Sequence, residues 1–324
     1  MPCFHPAMAL HELVPGIFSN KVKFLGKKVQ DNWEDHILPV YKHMIKKGEI
    51  EAVELPCGNC IGCRLERSRQ WALRCIHESK FHEDNCFLTL TYDPDLKGYS
   101  PSLNKRDICL FLKSLRRKIE PQKIRFFQCG EYGDLNLHPH HHVLLFGYSF
   151  PDRVKCVTKS GQIYYRSKEL ESLWKHGFSS IGDLTFESAA YVARYVLKKL
   201  NGDQAQFYTD RGIIPPFVTM SRRPGIGAKF FEKFSSDFYP KDFITFDNGR
   251  RLKPPKYYDK LFEQFHGEDA LKPIKDKRKQ YAKLPETAVE RNLARLSIKE
   301  QAAKFKAMNK KRTGDTYGNI LENL

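Results

Sequence analysis

The sequence predicts an α+β fold, an antiparallel sheet flanked by helices. Three observations lead there. Short β-rich runs alternate with amphipathic helical segments, one link between two such runs is too short for a crossover helix, and the 324-residue chain is 41% apolar with 13% aromatics, enough for a buried core. Net charge is +17, which points to a phosphate polyanion, nucleic acid above all, as partner. No run approaches the roughly 18 to 20 apolar residues that span a bilayer, and residues 1–10 lack a basic start followed by a sustained apolar stretch, so a cytoplasmic protein is expected. Nine cysteines, an odd number without a secretion signal, favour reduced thiols or a metal over a disulfide framework.

Residues 1–55 show no sustained period and contain Pro2, Pro6, Pro15 and Pro39, so irregular structure is expected there. Residues 64–82 suit an amphipathic helix with Leu65, Ala72, Leu73 and Ile76 inward and arginines outward. Residues 86–92 are aromatic and β-branched and end at Asp93-Pro94, a strand with Phe87, Thr89 and Thr91 on one side. Asn104 then reads as a helix N-cap, with Asp107 three residues on, before Ile108, Phe111, Leu112, Leu115 and Ile119 at helical spacing. Residues 124–129 form a second strand, leading through Gly130-Glu131-Tyr132-Gly133 into a third that carries the run Val143-Leu144-Leu145-Phe146. After a variable segment come a short helix at 170–174, a strand at 178–184 and a helix at 186–200.

Four of the twelve histidines, His138, His140, His141 and His142, stand directly ahead of that apolar run. On a strand, His140 and His142 face one side and His141 the other. The antiparallel link brings Glu131 toward the first two, and Gln128 is an alternative oxygen ligand. His138 shares the spacing of two with His140, but Pro139 disfavours a regular central strand at that end. Two neutral imidazoles and one oxygen leave coordination positions open, which suits Mg²⁺ or Mn²⁺ polarising a scissile phosphate. In the helix at 186–200, Tyr191, Tyr195 and Lys198 fall on one face at about 100° per residue. A phenol with pKa near 10 needs activation by a metal, a base or a cation, and Lys198 is placed to supply it.

Together these blocks resemble the HUH endonucleases, and among them the rolling-circle initiators of Microviridae (gokushovirus type), small single-stranded-DNA phages. The resemblance rests on Phe87-Leu88-Thr89-Leu90-Thr91-Tyr92, on Gly130-Glu131-Tyr132-Gly133 with residues 139–147, on residues 191–199, and on residues 220–227. Two departures stand out: His141 occupies a position usually apolar, and Arg194 one that is often lysine. The resemblance implies a five-stranded antiparallel sheet and an endonuclease domain at 64–240, between an N-terminal segment at 1–63 and a basic C-terminal region at 241–324. It implies origin nicking with covalent attachment of Tyr191 or Tyr195 to the 5′ phosphate, and Arg194, Lys199, Arg222 and Arg223 as DNA contacts. Single-stranded origin DNA, a host helicase, a DNA polymerase and a single-strand-binding protein are the implied partners, in the cytoplasm of a bacterial host. No Gly-x-x-x-x-Gly-Lys-Ser/Thr motif is present, consistent with unwinding by another protein. A transposase or relaxase of the same superfamily, or a non-catalytic basic nucleic-acid-binding protein, are the alternatives.

Cys57, Cys60 and Cys63 repeat at spacing three, which suits structural zinc closed by Cys3, His5 or Cys75. Residues 271–312 carry fourteen lysines and arginines against four acids, too few apolar positions for a strong core face, and read as a basic helical tail able to anchor on DNA.

Overall fold

Residues 1–55, expected to be irregular, instead carry β1 (Ala7–Glu12), β2 (Val22–Lys27), helix α1 (Pro39–Lys46) and β3 (Ile50–Leu55). The strands form an antiparallel sheet in the order β2-β1-β3. Proline misleads here because Pro6 and Pro15 flank β1 and Pro39 opens α1, positions where its missing N–H is not needed. The core of this sheet is small and built on Leu10, Trp33, Ile37 and Ile50. The structure, a computed structural model, describes residues 3–133, 137–158, 161–195, 203–246 and 249–312. They form two compact units, one from Met1–Glu66 with Lys275–Thr313, the other from Arg67–Ile274.

Helix α2 (Ile61–Ser79) begins in the smaller unit, up to Glu66, and continues in the larger one, where it leads into β4 (Asn85–Thr91), α3 (Lys105–Lys118), β5 (Arg125–Tyr132) and β6 (Pro139–Phe146). Then follow β7 (Val154–Val157), β8 (Ile163–Arg166), α4 (Lys168–Leu173), β9 (Ser179–Gly182) and α5 (Phe186–Tyr195). After α6 (Asp203–Asp210) come β10 (Phe217–Met220), α7 (Ala228–Phe238), β11 (Ile244–Phe246), β12 (Arg250–Leu252) and α8 (Lys256–His266). The expected cap is present, since the Asn104 side chain accepts from the Arg106 N–H and donates to Asp107 Oδ1 at 3.0 Å.

The main sheet is wholly antiparallel and has seven strands, in the order β10-β5-β6-β4-β9-β8-β7, rather than five. The two extra strands are a hairpin inside the segment read as variable; it joins the free edge of β9 through the pair Tyr165↔Ile181. Strand alternation gives the sheet two buried faces. Leu88, Leu90, Val143 and Leu145 pack under α3 and α4 with Phe111, Leu115 and Trp174. Phe87, Phe127, Cys129, Leu144 and Phe146 pack under α2 and α5 with Ala72, Ala189 and Val192. A third cluster joins Leu73 of α2 to Phe230, Phe231 and Phe238 of α7 and Tyr258 of α8.

The last elements among the described residues are α9 (Glu268–Lys283), α10 (Pro285–Val289) and α11 (Leu293–Arg312). In the smaller unit, Glu54 accepts from Lys28 Nζ at 2.8 Å and from Arg291 at 2.5 Å, and Glu51 accepts from Lys279 at 2.9 Å, so part of the tail's charge is paired against the small sheet. No helix among the described residues is long and apolar enough to cross a membrane.

His77 lies in the third cluster, stacked on Phe230 at 3.6 Å between ring centres, with Nδ1 2.8 Å from Tyr258 Oη. Burial, reinforced by the charge of Lys80, pushes its pKa down from 6.5 to about 3. The ring is therefore neutral in the fold across a range where the unfolded chain takes up a proton. Stability is full above about 6.5 and falls as pH drops toward 3, by up to about 1.4 kcal/mol per pH unit. Urea unfolding at neutral pH and near pH 5 should show this loss, and His77→Phe, which keeps the ring stack, should make it shallower. An unchanged pH dependence in that variant would remove His77 as the cause.

Candidate active site

Three chemical groups meet on the α5 side of the main sheet because strand register brings them there. In the β5–β6 ladder Glu131 lies opposite His140, and Cys129 opposite His142; in the β4–β6 ladder Thr89 lies opposite His142 and Thr91 opposite His140. Both histidines share a face with Glu131 as the period of two requires. Glu131 Oε1 is 2.9 Å from His140 Nε2 and 2.9 Å from His142 Nε2. From α5 above, Tyr191 Oη donates to the same oxygen at 3.2 Å, and its ring meets that of His142 edge-on at 5.1 Å. Glu131 and His142 are buried, whereas His140 is partly exposed and marks the side open to solvent.

The donor set fits a cation. His140 Nδ1 faces the His138 carbonyl at 3.1 Å, which leaves its Nε2 directed at Glu131 Oε1, with either a proton or a cation between the two atoms. The second carboxylate oxygen, Glu131 Oε2, is buried with no hydrogen-bond partner among the described residues. Burial pushes the Glu131 carboxyl up, but its bonds to His140 and His142 outweigh this and hold it below the usual carboxylate range. Burial also pushes His142 down, against the pull of Glu131, which favours the neutral imidazole that metal ligation needs. Glu131, His140 and His142 are thus the residues able to hold a divalent ion.

The remaining expected residues divide clearly. His138 turns its Nε2 to the Tyr92 carbonyl at 2.5 Å, away from the cluster. Gln128, the alternative ligand, points to the opposite face of β5 and donates to Thr219 Oγ1 at 2.9 Å. His141 is fully buried on that face; its Nε2 donates to Tyr92 Oη at 3.1 Å, and Tyr92 donates to Asp107 at 3.0 Å. Lys198 and Lys199 lie outside the described residues, as do the side chains of Arg194 and Tyr195. Arg222 and Arg223 are exposed in the turn after β10. Cys3, Cys57, Cys60 and Cys63 gather their sulfurs within 4.8 Å of one another, a second group able to hold a metal. Cys75 is instead buried in the core of the larger unit, and His5 pairs with Glu300 at 3.0 Å.

Sequence reasoning missed the supports. Thr89 Oγ1 lies 3.1 Å from His142 Nδ1 and fixes that ring; its place on the right face of β4 was the available signal. The Arg222–Gly227 turn is clamped from below: Glu78 accepts the Gly227 N–H at 2.7 Å and Arg125 at 2.5 Å, while Arg125 donates to the Pro224 carbonyl at 2.6 Å. Arg74, expected to point outward, instead lies between the rings of Trp71 and Tyr257, 3.9 Å from each centre, and donates to the Ile226 carbonyl at 3.0 Å.

A family model described as replication-associated protein ORF2/G2P matches residues 85–200, which include all three groups of the candidate site. The chain is 36% identical over 240 residues to replication-associated protein VP4 of Bdellovibrio phage phiMH2K, a match spanning 71% of this chain and 74% of that protein. It is 33% identical over 296 residues to replication-associated protein ORF2 of Spiroplasma virus 4, spanning 87% of each. Replication-associated protein ORF4 of Chlamydia phage 1 is 31% identical over 228 residues, 67% of this chain and 55% of that protein. No solved structure matches.

The geometry predicts a specific role for Thr89. Thr89→Val keeps the shape of the β4 position but removes the bond to His142 Nδ1. Mn²⁺ affinity measured by calorimetry should fall about 10- to 100-fold with the fold intact, the usual effect of freeing a ligand histidine. Affinity equal to wild type would mean that packing alone, such as the Phe87 ring stacked 5.3 Å from His142, orients the imidazole.

Proposed function

We propose, for a chain that belongs to the replication-associated proteins of single-stranded-DNA phages, a site-specific DNA nickase and strand transferase that starts and ends rolling-circle replication. The observation that carries this reading is the hydrogen bond from Tyr191 Oη to the carboxylate oxygen shared by His140 and His142. A nucleophile and a ligand set for a divalent ion then occupy one site.

Glu131, His140 and His142 would hold Mg²⁺ or Mn²⁺, which when bound supplies charge to polarise the scissile phosphate and to offset charge developing in the transition state. Two nitrogen ligands tilt the choice toward Mn²⁺. Glu131, accepting from Tyr191 Oη, orients the phenol beside the ion site, and the phenol's proton would be lost to the 3′ oxygen or to solvent as attack proceeds. Tyr191 Oη attacks the phosphorus, the bond to the 3′ oxygen breaks, and the products are a 5′-phosphotyrosine and a free 3′ hydroxyl that primes synthesis. One phosphodiester replaces another, so joining the displaced strand into a circle needs no ATP. Tyr195, one helical turn on, would take the second cleavage while Tyr191 still holds the first end. Lys198 would assist the phenols or grip a phosphate.

Arg194, Lys199, Arg222 and Arg223 would contact the DNA backbone, and the basic tail would add a salt-dependent anchor. The substrate is single-stranded origin DNA in the cytoplasm of the bacterial host, where a helicase, a DNA polymerase and a single-strand-binding protein would complete replication.

The test is incubation with Mn²⁺ and single-stranded circular DNA of the protein's own replicon, followed by denaturing gels for a nicked strand bearing protein. Wild type should give the adduct and the double variant Tyr191→Phe with Tyr195→Phe none. His140→Ala should lose more than about 100-fold in rate, beyond what misorienting a ligand costs, while still binding DNA. Binding without an adduct under every metal, or full nicking by His140→Ala, would overturn the proposal.

A further inference from the structure

We infer that Cys3, Cys57, Cys60 and Cys63 bind one zinc ion as a closed tetrathiolate that staples the small sheet to the start of α2. This stands apart from the nicking chemistry and uses none of its residues.

The sulfur spacing fits a single ion. Four ligands about 2.3 Å from a tetrahedral centre lie about 3.8 Å apart. Here Cys3 Sγ and Cys60 Sγ are 3.9 Å apart, and every pair in the group lies within 4.8 Å. A disulfide would need a separation of about 2.05 Å, and all four cysteines are free. A polynuclear iron–sulfur cluster would hold its cysteines farther apart than one ion does.

Backbone donors converge on the same sulfurs. The N–H of Phe4 donates to Cys60 Sγ at 3.3 Å and that of Cys57 to Cys3 Sγ at 3.3 Å. The N–H of Cys60 donates to Cys57 Sγ and that of Cys63 to Cys60 Sγ, both at 3.4 Å. Amide donors aimed at sulfur stabilise thiolates and spread the excess negative charge of four of them around a divalent cation. With four sulfur ligands and no oxygen or nitrogen among them, the set selects a soft or borderline ion. It leaves no position for water or substrate, which makes the ion structural.

Position in the fold supplies the reason for it. β1 and β3 pair with Ala7 opposite Leu55; Cys3 precedes that end of β1, Cys57 follows that end of β3, Cys60 immediately precedes α2 and Cys63 lies in its first turn. One ion therefore fastens three chain segments that meet at one end of the β1–β3 pair. The sheet's core cluster is small, built on Leu10, Trp33, Ile37 and Ile50 with its other apolar neighbours only partly buried, and a core of that size gains from a staple.

The experiment uses the full chain purified under reducing conditions, with metal content measured by mass spectrometry. Zinc at one equivalent per chain is expected in His140→Ala, which lacks the other candidate metal site and is the background for the serine variants. Cys3→Ser and Cys60→Ser should lose it; Cys109→Ser, on the exposed side of α3, should keep it. Because the serine variants risk misfolding, a second measurement needs no variant: titration of wild type with an organomercurial should release zinc to an indicator dye as thiols are consumed. Cobalt in place of zinc should give an intense sulfur-to-cobalt band in the near ultraviolet and the visible bands of a tetrahedral site. Iron in place of zinc, no bound metal, or zinc retained in full by Cys3→Ser and Cys60→Ser would each overturn the assignment.

Discussion

A carboxylate buried as completely as that of Glu131 is costly unless every surrounding group favours its charge, and the centre of the larger unit is arranged around this one. Two imidazoles and a phenol converge on Oε1, each from a different part of the chain's path. The arrangement depends on register. Slipping β5 by one residue against β6 would turn Glu131 to the other face, among Leu88, Leu90, Val143 and Leu145, and bring Gly130 to the histidines. The long apolar pairings on both sides of β6 hold that register, so the hydrophobic core fixes the chemistry by fixing which side chains share a face.

Helix α5 must then stay at one height above the sheet for the Tyr191 bond to form. Apolar contacts of Ala189 and Val192 set the distance, and Ser68 Oγ of α2 donates to the Ala190 carbonyl at 2.8 Å, tying the two helices over that face. α2 is also tied at its far end, where Glu78 holds both Arg125 of β5 and the N–H of Gly227. Gly227 has φ of 80° there, and a Cβ at that position would come within 2.7 Å of Tyr258 Oη, so glycine is required on two counts. The exposed Arg222–Arg223 pair thus stands on a turn whose backbone is anchored by three buried or half-buried charged groups, Arg74, Glu78 and Arg125. An exposed arginine on a fixed backbone loses less freedom on meeting a phosphate than one on a loose loop.

The triad was legible because it needs only two facts, a strand period of two and a link too short for anything but an antiparallel return. Both can be read from residues 128–146 alone. The gathering of Cys3 with Cys57, Cys60 and Cys63 was half legible: the spacing of three is local, but the fourth sulfur arrives by a strand pairing that the scattered prolines concealed. The β7–β8 hairpin gave no signal because its side chains, Tyr164 apart, stay largely exposed; backbone pairing holds it to the sheet, and backbone pairing leaves no apolar pattern. Arg74 defeated helical-wheel reasoning for the opposite reason. Its partner ring, Tyr257, comes from a distant part of the sequence, and an arginine between two rings is as well satisfied as one in water.

The two ligand sets make different demands on their ions, and together they constrain the surroundings in which the chain works. A site of two imidazoles and a carboxylate with open positions binds zinc or copper more tightly than Mg²⁺ or Mn²⁺, so geometry alone cannot keep it loaded with the ion that phosphoryl chemistry favours; the ion in excess decides. The four-sulfur site has the reverse problem. Its thiols hold a soft ion well but are lost as ligands if oxidised, and Cys3 and Cys60 are close enough to join after a small movement. A reducing medium with abundant Mg²⁺ or Mn²⁺ and scarce free zinc and copper satisfies both sets at once. In such a medium sulfur would take the scarce ion and the imidazole–carboxylate site the plentiful one, a division that would follow from ligand chemistry and availability.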